Sequence, residues 1–486
     1  MNNKKTTVIT ISATLALILL VATATFAYFQ ADLGNNKEVD VSVSTLTEND
    51  RFSFAVGDPL ALQADETSFV KGGDSVSDTT TATALLTANN KTNNATKYYY
   101  LYLLISKNNF KYTQNENTPE LILTITKPDG TELTTFDGLT YKTVTDGKGT
   151  TIKGFDITTK SGLITLADNR KITTTSSITE KWSITLTLVN YDVNQIDNLG
   201  KMFSSKLIIQ QDEANFRYDE ICDSSRLACH VAKLYTGTQG DNGIYYHSST
   251  LANGAGDNSY RYAGASNNVN NYICLGSDAT TCPNANLFRI IGVFGDQTKV
   301  IRAKSTGTQE WDTNGSNTWS SSSLNTYLNG EYLTSLGTLA DKITTTTWKV
   351  GGNSIYLTTV PKTAYQYEVG SSASSTTYDA KIGLMYVSDY GFDADQSAWA
   401  TNLSSYSSSS KDWLLYTATS YEWTISRNPS NSSLVHLVTN EGKVKSLIAN
   451  LSSVGTYIAV RPTFSLLSSV TYASGSGTSS DPIRIN

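Results

Sequence analysis

Three aspartates lie close together in the second half of the chain, in a stretch that also contains tyrosine and glycine. They are Asp389, Asp393 and Asp395. Carboxylates at this spacing can bind Ca²⁺ through oxygen, and a pair of them can flank a glycosidic bond for hydrolysis. The same composition is more typical of a hydrated surface loop. We therefore expect a solvated loop, in which Asp393 and Asp395 are candidate ligand-binding residues.

Histidine and cysteine supply most zinc ligands and many nucleophile–base pairs, and both are scarce here. The chain has three histidines, and none of them falls between residues 30 and 215. His247 and His436 stand far apart in sequence without a G-x-S-x-G motif nearby, so we expect ordinary packing or surface histidines. The sequence therefore predicts no catalytic residue, no metal site and no cofactor, and we expect the protein not to be an enzyme.

The four cysteines form two close pairs in sequence. Cys222 and Cys229 bracket the first turns of a short helix expected over Ser224–Tyr235, and Cys274 and Cys282 bracket a loop. Four cysteines allow three pairings, and an even number in an exported chain indicates disulfides. Proximity favours joining the two members of each pair. A zinc site is the alternative, but it normally uses C-x2-C spacing, whereas these are C-x6-C and C-x7-C.

Tryptophan is concentrated in the second half of the chain. Five of these residues can form a stacking surface for sugars or peptides, namely Trp311, Trp319, Trp399, Trp413 and Trp423. We expect most of them in the core, because tryptophan is large and this region is rich in small residues. Trp423 and Arg427 are kept as candidate ligand-binding residues. Arg461 lies in an apolar strand and is expected to be buried and paired.

The composition indicates that strands position these residues. The chain has 486 residues, of which 39% are hydrophobic and only 16% charged, while Ser, Thr and Asn are abundant. The net charge of −6 and the lack of basic clusters argue against nucleic-acid binding, whose affinity comes from lysine and arginine at phosphates. The length predicts two or three domains. This profile is typical of a mainly β extracellular protein.

An export signal is expected near the N-terminus. Two lysines precede an uncharged, mostly apolar run over Thr6–Phe29, with small-residue cleavage sites at Ala22–Ala24 and Thr25–Ala27. The run is also long enough to span a membrane. Residues 1–29 are therefore expected to be a cleaved signal peptide or an uncleaved hydrophobic helix that anchors the chain. No L-P-x-T-G motif is present, so any attachment is expected through the N-terminal segment or through assembly. We expect an extracellular, cell-surface or membrane-anchored protein with the C-terminus outside.

Residues 30–215 carry many short apolar runs separated by turn signals, without helical patterns between them. These runs are Phe52–Val56, Ala82–Thr87, Tyr98–Ser106, Leu121–Thr126, Trp182–Val189 and Leu207–Gln210. Such a series predicts an antiparallel β-sandwich, in which each sheet buries one face. Val39–Leu46 alternates in the same way and predicts an earlier strand.

Several blocks in this half carry a family resemblance. They are Ala24–Phe29 in the export segment and, further along, Trp182–Asn190, Gly200–Phe203 and Leu207–Ile209. The blocks resemble those of the camelysin and TasA-like biofilm-fibre proteins of Gram-positive bacteria, and the resemblance covers residues 20–213. Camelysin is classed as a metallopeptidase, but the chain has no H-E-x-x-H motif, so we do not expect that activity.

The TasA-like resemblance also implies a way in which the chain can assemble, because the family contains fibre formers that exchange N-terminal strands. Val39–Leu46 has the alternation on a free-ended segment that donation to another subunit requires. The alternative, which we favour, is that this strand completes its own sheet. Self-assembly by strand exchange is therefore a hypothesis.

A second domain is expected over residues 237–486, after a helical connector at 216–236. Within it, Ile382–Val387 predicts a strand and Ser321–Ile343 a helix. Four blocks are similar to an uncharacterised C-terminal domain of Gram-positive surface proteins, namely Asn271–Pro283, Leu287–Phe294, Lys381–Gly391 and Val460–Leu466. This resemblance covers nearly the whole domain but implies no activity.

A more remote resemblance concerns the last strands of this domain. Trp423–Arg427, Gly442–Val444 and Val460–Pro462 resemble the end of the C-type-lectin-like fold that is shared with formylglycine-generating enzyme. The resemblance implies a mixed α+β domain. It does not extend to the enzyme's catalysis, which needs cysteines in the final third, because no cysteine follows Cys282. The lectin calcium motifs are absent as well.

These features together favour a non-enzymatic bacterial cell-surface or extracellular-matrix protein, whose β-sandwich stalk presents a ligand-binding or adhesive C-terminal domain. The expected partners are a glycan or protein ligand, other copies of the chain, and the membrane, but not nucleic acid. One alternative is a surface glycan hydrolase that uses Asp393 or a neighbouring carboxylate. Another is a purely structural matrix subunit.

Overall fold

The computed structural model describes residues 50–89, 94–115, 117–354, 356–418, 421–450 and 458–486. The expected export segment and the Val39–Leu46 strand lie outside these ranges. Among the residues described, no helix is both long and apolar enough to cross a membrane. The chain divides between Asn215 and Phe216 into two compact units. Strands account for 38% of the structure and helices for 17%, which confirms the mainly β class.

The first unit consists of two antiparallel sheets. Its strands are β1 (Asp50–Val56), β2 (Leu60–Gln63), β3 (Val76–Ala88), β4 (Ala95–Asn108), β5 (Leu121–Thr126), β6 (Tyr141–Thr145), β7 (Thr151–Asp156), β8 (Gly162–Thr174), β9 (Ser177–Leu188) and β10 (Met202–Gln210). One sheet has the order β1–β3–β9–β5–β7–β6 and the other β2–β10–β4–β8. Short 3₁₀ helices span Glu66–Phe69 and Ile196–Asn198. All six apolar runs predicted as strands fall in these sheets.

The alternation that predicts the strands also builds the core of the first unit. In β3, Ala82, Ala84 and Leu86 are buried, whereas the residues between them are partly or fully exposed. Side chains from both sheets, such as Phe54 on β1 and Leu103 on β4, belong to one hydrophobic cluster. Each sheet therefore turns one face towards a shared core, because alternate residues of a strand point to opposite faces.

A chain of polar side chains connects the two sheets of the first unit. The Trp182 indole N–H donates to the Tyr99 hydroxyl at 2.9 Å, and this hydroxyl donates to the Glu180 carboxylate at 2.5 Å. Arg170 donates two hydrogen bonds of 2.8 Å to the same carboxylate. The Arg170 and Glu180 side chains are 33% and 13% exposed, so water still reaches this pair.

The second unit contains fourteen named strands in the part that the structure describes. They are β11 (Ile244–Tyr246), β12 (Tyr260–Tyr262), β13 (Tyr272–Cys274), β14 (Leu287–Phe294), β15 (Gln297–Arg302), β16 (Thr346–Lys349), β17 (Thr377–Ala380), β18 (Tyr421–Arg427), β19 (Leu434–Thr439), β20 (Val444–Ile448), β21 (Ile458–Ala459), β22 (Thr463–Ser465), β23 (Tyr472–Ser474) and β24 (Arg484–Ile485). One sheet runs β11–β12–β14–β15–β22, with β13 also on β14, and another runs β20–β19–β18–β21. β16–β17 and β23–β24 are two-stranded.

The helices of the second unit are short. The α-helices are α1 (Tyr218–Ile221), α2 (Leu227–Ala232), α3 (Ser323–Tyr327), α4 (Leu333–Ser335), α5 (Pro361–Glu368) and α6 (Val387–Phe392). A π-helix spans Leu328–Tyr332, and 3₁₀ helices span Asp241–Gly243, Asn284–Asn286, Trp319–Ser321, Gly337–Lys342, Tyr356–Thr358, Gln396–Ala398, Leu403–Ser405 and Ser408–Ser410. The helix predicted over Ser321–Ile343 is thus present as several short pieces. The predicted connector lies within this unit, because Leu227 and Val231 of α2 belong to its core.

The strand predicted over Ile382–Val387 is wrong. This stretch makes one isolated bridge, between Gly383 and Thr463, and α6 then begins at Val387. The Asp389 carboxylate accepts the Tyr386 N–H at 2.8 Å and so caps the helix. A short apolar run indicates burial but does not separate a strand from a buried connection.

Candidate functional site

The candidate residues Trp423 and Arg427 do not share an exposed surface. Trp423, in β18, is completely buried, and its indole N–H donates to the Gln309 carbonyl at 2.9 Å. Arg427, at the end of the same strand, is partly buried and donates to the Gly351 carbonyl at 3.0 Å. The other four tryptophans considered for a stacking surface, Trp311, Trp319, Trp399 and Trp413, are buried too. These tryptophans therefore pack the interior.

The fold separates the three clustered aspartates. Asp389 lies in α6 and Asp393 follows it directly, and both are buried. Asp395 is partly exposed, and its carboxylate accepts the N–H and the hydroxyl of Ser397 at 3.1 and 2.7 Å, which starts a 3₁₀ helix. The prediction of a solvated loop is wrong for Asp389 and Asp393, because every residue of α6 is buried and so is Asp393, which follows the helix.

Asp389 belongs to a buried group of opposite charges. Lys299 Nζ lies 2.5 Å from Asp389 Oδ2, and Arg261 Nη1 lies 3.8 Å from Asp389 Oδ1. Arg261 also pairs with Asp257 at 2.7 Å. Aromatic rings lie beside both cations, namely Phe294, Trp348 and Tyr386 at Lys299 and Phe294, Tyr365 and Phe392 at Arg261. The group is sealed from solvent, since the Lys299, Arg261 and Asp389 side chains are 9%, 1% and 3% exposed.

Asp393 and Asp412 are buried carboxyls of a different kind. Burial raises the pKa of both well above the usual range, and at Asp393 the nearby charge of Asp412 adds to the effect. Within the described residues, neither oxygen of Asp393 has a hydrogen-bond partner, and Oδ2 of Asp412 has none either. Burial therefore favours the neutral form of both groups. Because Asp393 is 0% exposed, a glycan in solvent does not reach it in this conformation.

Glu368 is a third buried acid beside this group. Its two oxygens accept the N–H groups of Val387 and Ser388 at 3.0 and 2.8 Å, at the start of α6. The Ser426 hydroxyl donates to the same carboxyl. Burial raises the pKa of Glu368 to about 7, although these hydrogen bonds act in the opposite direction. Glu368 is thus engaged in holding the first turn of α6 in place.

Arg461 is buried and paired, as predicted. Its Nε and Nη2 donate to the two oxygens of Glu422 at 2.7 and 2.8 Å, and Nη2 also donates to the Leu414 carbonyl at 2.6 Å. The arginine and glutamate side chains are 3% and 2% exposed. The bidentate geometry fixes both side chains, since two parallel hydrogen bonds allow little rotation. The pair ties β18 to the segment after β21.

His247 and His436 are both buried and pack the interior, in agreement with the packing alternative. His436 Nε2 lies 3.2 Å from the Asn353 carbonyl, which only accepts, so Nε2 carries the proton. Its Nδ1 accepts the Ser446 hydroxyl at 2.9 Å. Burial lowers the pKa of His436 to about 4. In the described part of the chain, no three His, Cys, Asp or Glu side chains are grouped so that they could hold a metal ion.

Both predicted disulfides are confirmed. Cys222 is joined to Cys229 and Cys274 to Cys282, with Cα–Cα distances of 5.5 and 5.8 Å. These distances are typical of disulfides. The second bridge closes a loop that forms part of the rim of a surface cleft of about 840 Å³.

This cleft, which we call the disulfide cleft, is assembled from three distant parts of the second unit. Its lining comes from the loop at 276–280, from residues near Leu339, and from the segment at 473–486. The Arg484 guanidinium donates to three carbonyls of the loop, those of Ser277, Ala279 and Thr280, at 2.8, 2.8 and 3.2 Å. Asp278, Lys342 and Asp481 also line it. The cleft therefore offers charged and polar groups of both signs on a braced frame.

Sequence reasoning did not find the disulfide cleft. The cysteine pair marks the loop in the sequence, but Arg484 lies 207 residues after Ser277. No local pattern connects two such distant segments. Of the four candidate ligand-binding residues that the sequence indicates, two are completely buried, Trp423 and Asp393.

The first unit also has an open groove, of about 720 Å³. Its lining includes Tyr102, Phe136, Lys160, Asp168 and Glu213. The rings of Tyr100 and Tyr102 stack beside each other with their centroids 6.3 Å apart. No covalent bridge braces this groove, since all four cysteines lie in the second unit.

Two comparisons with known proteins gave no match. No protein-family description matches the chain, and no curated protein matches it. The function must therefore be inferred from the geometry of the two units.

Proposed function

We propose that the chain is an exported, non-enzymatic surface or matrix protein of a Gram-positive bacterium, and that its second unit binds a hydrophilic ligand, most simply a glycan, in the disulfide cleft. In this proposal the first unit is a β-sandwich of the TasA-like kind, and the second is a C-type-lectin-like domain. Residues 1–29 export the chain and, if they are not cleaved, anchor it in the membrane. Self-assembly through Val39–Leu46 remains a separate hypothesis.

The observation that carries the proposal is the braced construction of the disulfide cleft. A site that binds a polar ligand gains affinity when its groups are already held in place, because less ordering has to occur on binding. The Cys274–Cys282 bridge and the three hydrogen bonds from Arg484 hold the loop in this way. Asp278 is exposed at its rim, where it can accept hydrogen bonds from sugar hydroxyls.

Two further observations support export and the sandwich. Both disulfides are formed, and stable disulfides are typical of oxidising compartments outside the cytosol. The two antiparallel sheets of the first unit share one hydrophobic cluster, which is the arrangement of a sandwich. The absence of enzymatic activity is proposed because the strongly perturbed acids Asp393 and Asp412 are buried away from the cleft and groove linings.

A glycan array probed with the full chain tests this function. We expect binding to one class of glycan, and we expect the double variant Asp278→Ala with Lys342→Ala to weaken it by about tenfold or more, which corresponds to roughly 1.4 kcal/mol. The matched control is Asp296→Ala with Lys304→Ala, which removes one exposed carboxylate and one exposed amine outside the cleft. The control variant should bind as the wild type does.

Three results would count against the proposal. Equal binding by the cleft variant and the control variant would place the ligand elsewhere. Release of shortened glycans from the array would show a hydrolase, which is the alternative that the acidic residues first suggested. Absence of binding to every glycan would remove glycan as the ligand class.

A further inference from the structure

Lys299 and Asp389 form the shortest ion pair among the described residues. The distance from Nζ to Oδ2 is 2.5 Å, below the range of about 2.7–2.9 Å that is usual for an ammonium–carboxylate hydrogen bond. Lys299 lies on β15 and Asp389 in α6, 90 residues later. An amine and a carboxyl are thus held together by two separate elements of the core, at a distance from which a bond can form.

Aromatic rings surround the Lys299 amine, and the pair is almost completely shielded from water. The rings of Phe294, Trp348 and Tyr386 lie 5.5, 5.7 and 4.8 Å from Lys299 Nζ. Condensation of the pair requires that one proton pass from the ammonium to the carboxylate, which leaves an amine beside a carboxylic acid. A neutral amine has a free electron pair and is a nucleophile towards the carboxyl carbon.

We propose that Lys299 and Asp389 condense to an amide that covalently joins β15 to α6. Lys299 Nζ forms a bond to Asp389 Cγ, and the bond from Cγ to one carboxyl oxygen breaks. That oxygen leaves as water, with one proton from the amine and one that the acid already carries. An ammonium and a carboxylate thus become an amide and one water, so charge and atoms balance and no oxidant or cofactor is required.

Neighbouring groups hold the carboxyl for this reaction. The Tyr386 N–H donates to Asp389 Oδ2 at 2.8 Å, and Arg261 Nη1 lies 3.8 Å from Oδ1, so both can stabilise the negative charge that develops on oxygen during attack. Once the amide has formed, Asp389 no longer has a charge. Arg261 still has a partner then, because it remains 2.7 Å from Asp257.

Asp393 is the group that we assign to proton transfer. It lies four residues after Asp389, and its N–H donates to the Asp389 carbonyl at 3.1 Å, so the two side chains follow each other on one helical face. Both Asp393 oxygens lack a partner among the described residues, and the side chain is completely buried. Glu368 is the other nearby acid, but its oxygens are occupied at the start of α6.

Peptide mapping of the wild-type full chain, after reduction and alkylation, tests the proposal without any variant. We expect a branched peptide that contains both Lys299 and Asp389 and has the summed mass of its two arms less one water. Trypsin should not cleave after Lys299 in this peptide. Recovery of the two arms as separate peptides of unmodified mass would overturn the proposal and leave an ordinary ion pair.

Two kinds of variant test the amide bond and the proton transfer separately. Lys299→Met should abolish the branched peptide, and Lys304→Met, which removes an exposed lysine nearby, should preserve it. Asp393→Asn keeps the size of the side chain and should slow formation of the bond by about 100-fold, at the lower end of general acid–base effects. A time course in freshly purified chain measures this rate. Formation of the bond at an unchanged rate in Asp393→Asn would overturn the role of Asp393.

Discussion

Each unit contains an arginine that binds a glutamate through two hydrogen bonds, and the two pairs have nearly the same geometry. Arg170 lies 2.8 Å from each oxygen of Glu180, and Arg461 lies 2.7 and 2.8 Å from those of Glu422. Their exposure differs, at 33% and 13% in the first unit and at 3% and 2% in the second. Removal of one partner therefore has different consequences, since water can replace it only in the first unit.

The difference between the pairs extends to the two units as wholes. The buried Asp, Glu, Lys and Arg residues described in the first unit are three acids, Glu120, Asp146 and Asp156. Those of the second unit include Arg261, Arg289, Lys299 and Arg461 together with seven carboxyls, Asp223, Asp312, Glu368, Asp389, Asp393, Asp412 and Glu422. In regular sheets the backbone N–H and C=O groups bond to neighbouring strands. In a unit of short strands and loops, buried side chains have to supply some of these hydrogen bonds, because buried polar groups must be paired.

Asn317 illustrates how a side chain replaces regular structure in the second unit. Its amide nitrogen lies within 2.9 Å of three carbonyl oxygens, those of Asn428, Asn431 and Leu434. Each of these carbonyls belongs to the turn between β18 and β19 or to the first residue of β19. Such interactions lie far apart in sequence, so this unit depends more on individual buried polar residues than the first unit does.

The largest difference between the units is expected for Arg461→Met. The change leaves Glu422 buried without its cation, and we expect the free energy of unfolding of the second unit to fall by about 3–5 kcal/mol. Hydrogen exchange in β14, followed against urea, measures it, and exchange in β3 should not change. Adding Glu422→Leu removes the unpaired buried carboxyl and should recover much of the lost stability. A loss below 1 kcal/mol in the single variant would contradict this account.

A pH dependence should also belong to the second unit. The pKa of His436 is about 4 in the folded chain and 6.5 ordinarily, so between these values only the unfolded chain binds the proton. Stability should therefore fall as the pH is lowered from 6.5 to 4, by about 3 kcal/mol for this residue. His436→Gln should remove this part of the slope, as measured by urea unfolding at several pH values. Equal pH slopes of stability for the variant and the wild type would show that the pKa of His436 is the same in the folded and the unfolded chain, and would contradict this prediction.

Reduction should distinguish the units next. Replacing Cys274 and Cys282 by serine opens a loop with a sequence separation of 8, and a loop of this length predicts a loss of about 2–3 kcal/mol in the second unit. The first unit should be unaffected by the variant and by reductant, because it has no cysteine. Thermal unfolding with and without reductant measures both. A change in the hydrogen exchange of β3 on reduction would contradict the prediction that the stability of the first unit does not depend on the disulfides.

The smallest effect is expected for Arg170→Met. Water reaches this pair, and the Tyr99 hydroxyl still donates to Glu180 after the change, so we expect a loss of about 1 kcal/mol or less in the first unit. The same exchange measurement in β3 detects it. A loss as large as that of Arg461→Met would show that the exposure of a pair does not determine how much it contributes to stability.

The two units also differ in how far their sequences predict them. In the first unit, alternation locates strands because burial of every second residue is a local property, as Ala82, Ala84 and Leu86 show. In the second unit, the apolar block Leu287–Phe294 forms β14, but Ile382–Val387, which is apolar as well, is not a strand. Its apolar residues are buried by partners such as Trp348, whose ring lies tilted against that of Tyr386, and sequence position does not reveal that contact.

The features of the site divide in the same way, into local properties that the sequence reveals and contacts between distant segments that it does not. The disulfide pairs were predictable, because short loops leave little choice of partner. The burial of Asp393 was not, since nothing in a tyrosine- and glycine-containing stretch distinguishes a buried helix from a wet loop. The disulfide cleft was not predictable either, because its parts meet only in the completed fold.

Arg484 has a consequence for the order of events while the chain is being made. The loop that it holds contains Ser277, and the two residues are 207 positions apart. At a synthesis rate of roughly 5–20 residues per second, the loop emerges roughly 10–40 s before the arginine. If the chain leaves the cytosol while it is being made, the Cys274–Cys282 bridge can close during this interval, since it needs no later residue. Oxidation can therefore fix the conformation of the loop early. The Arg484 guanidinium, which is synthesised later, then donates to three carbonyls that are already in position.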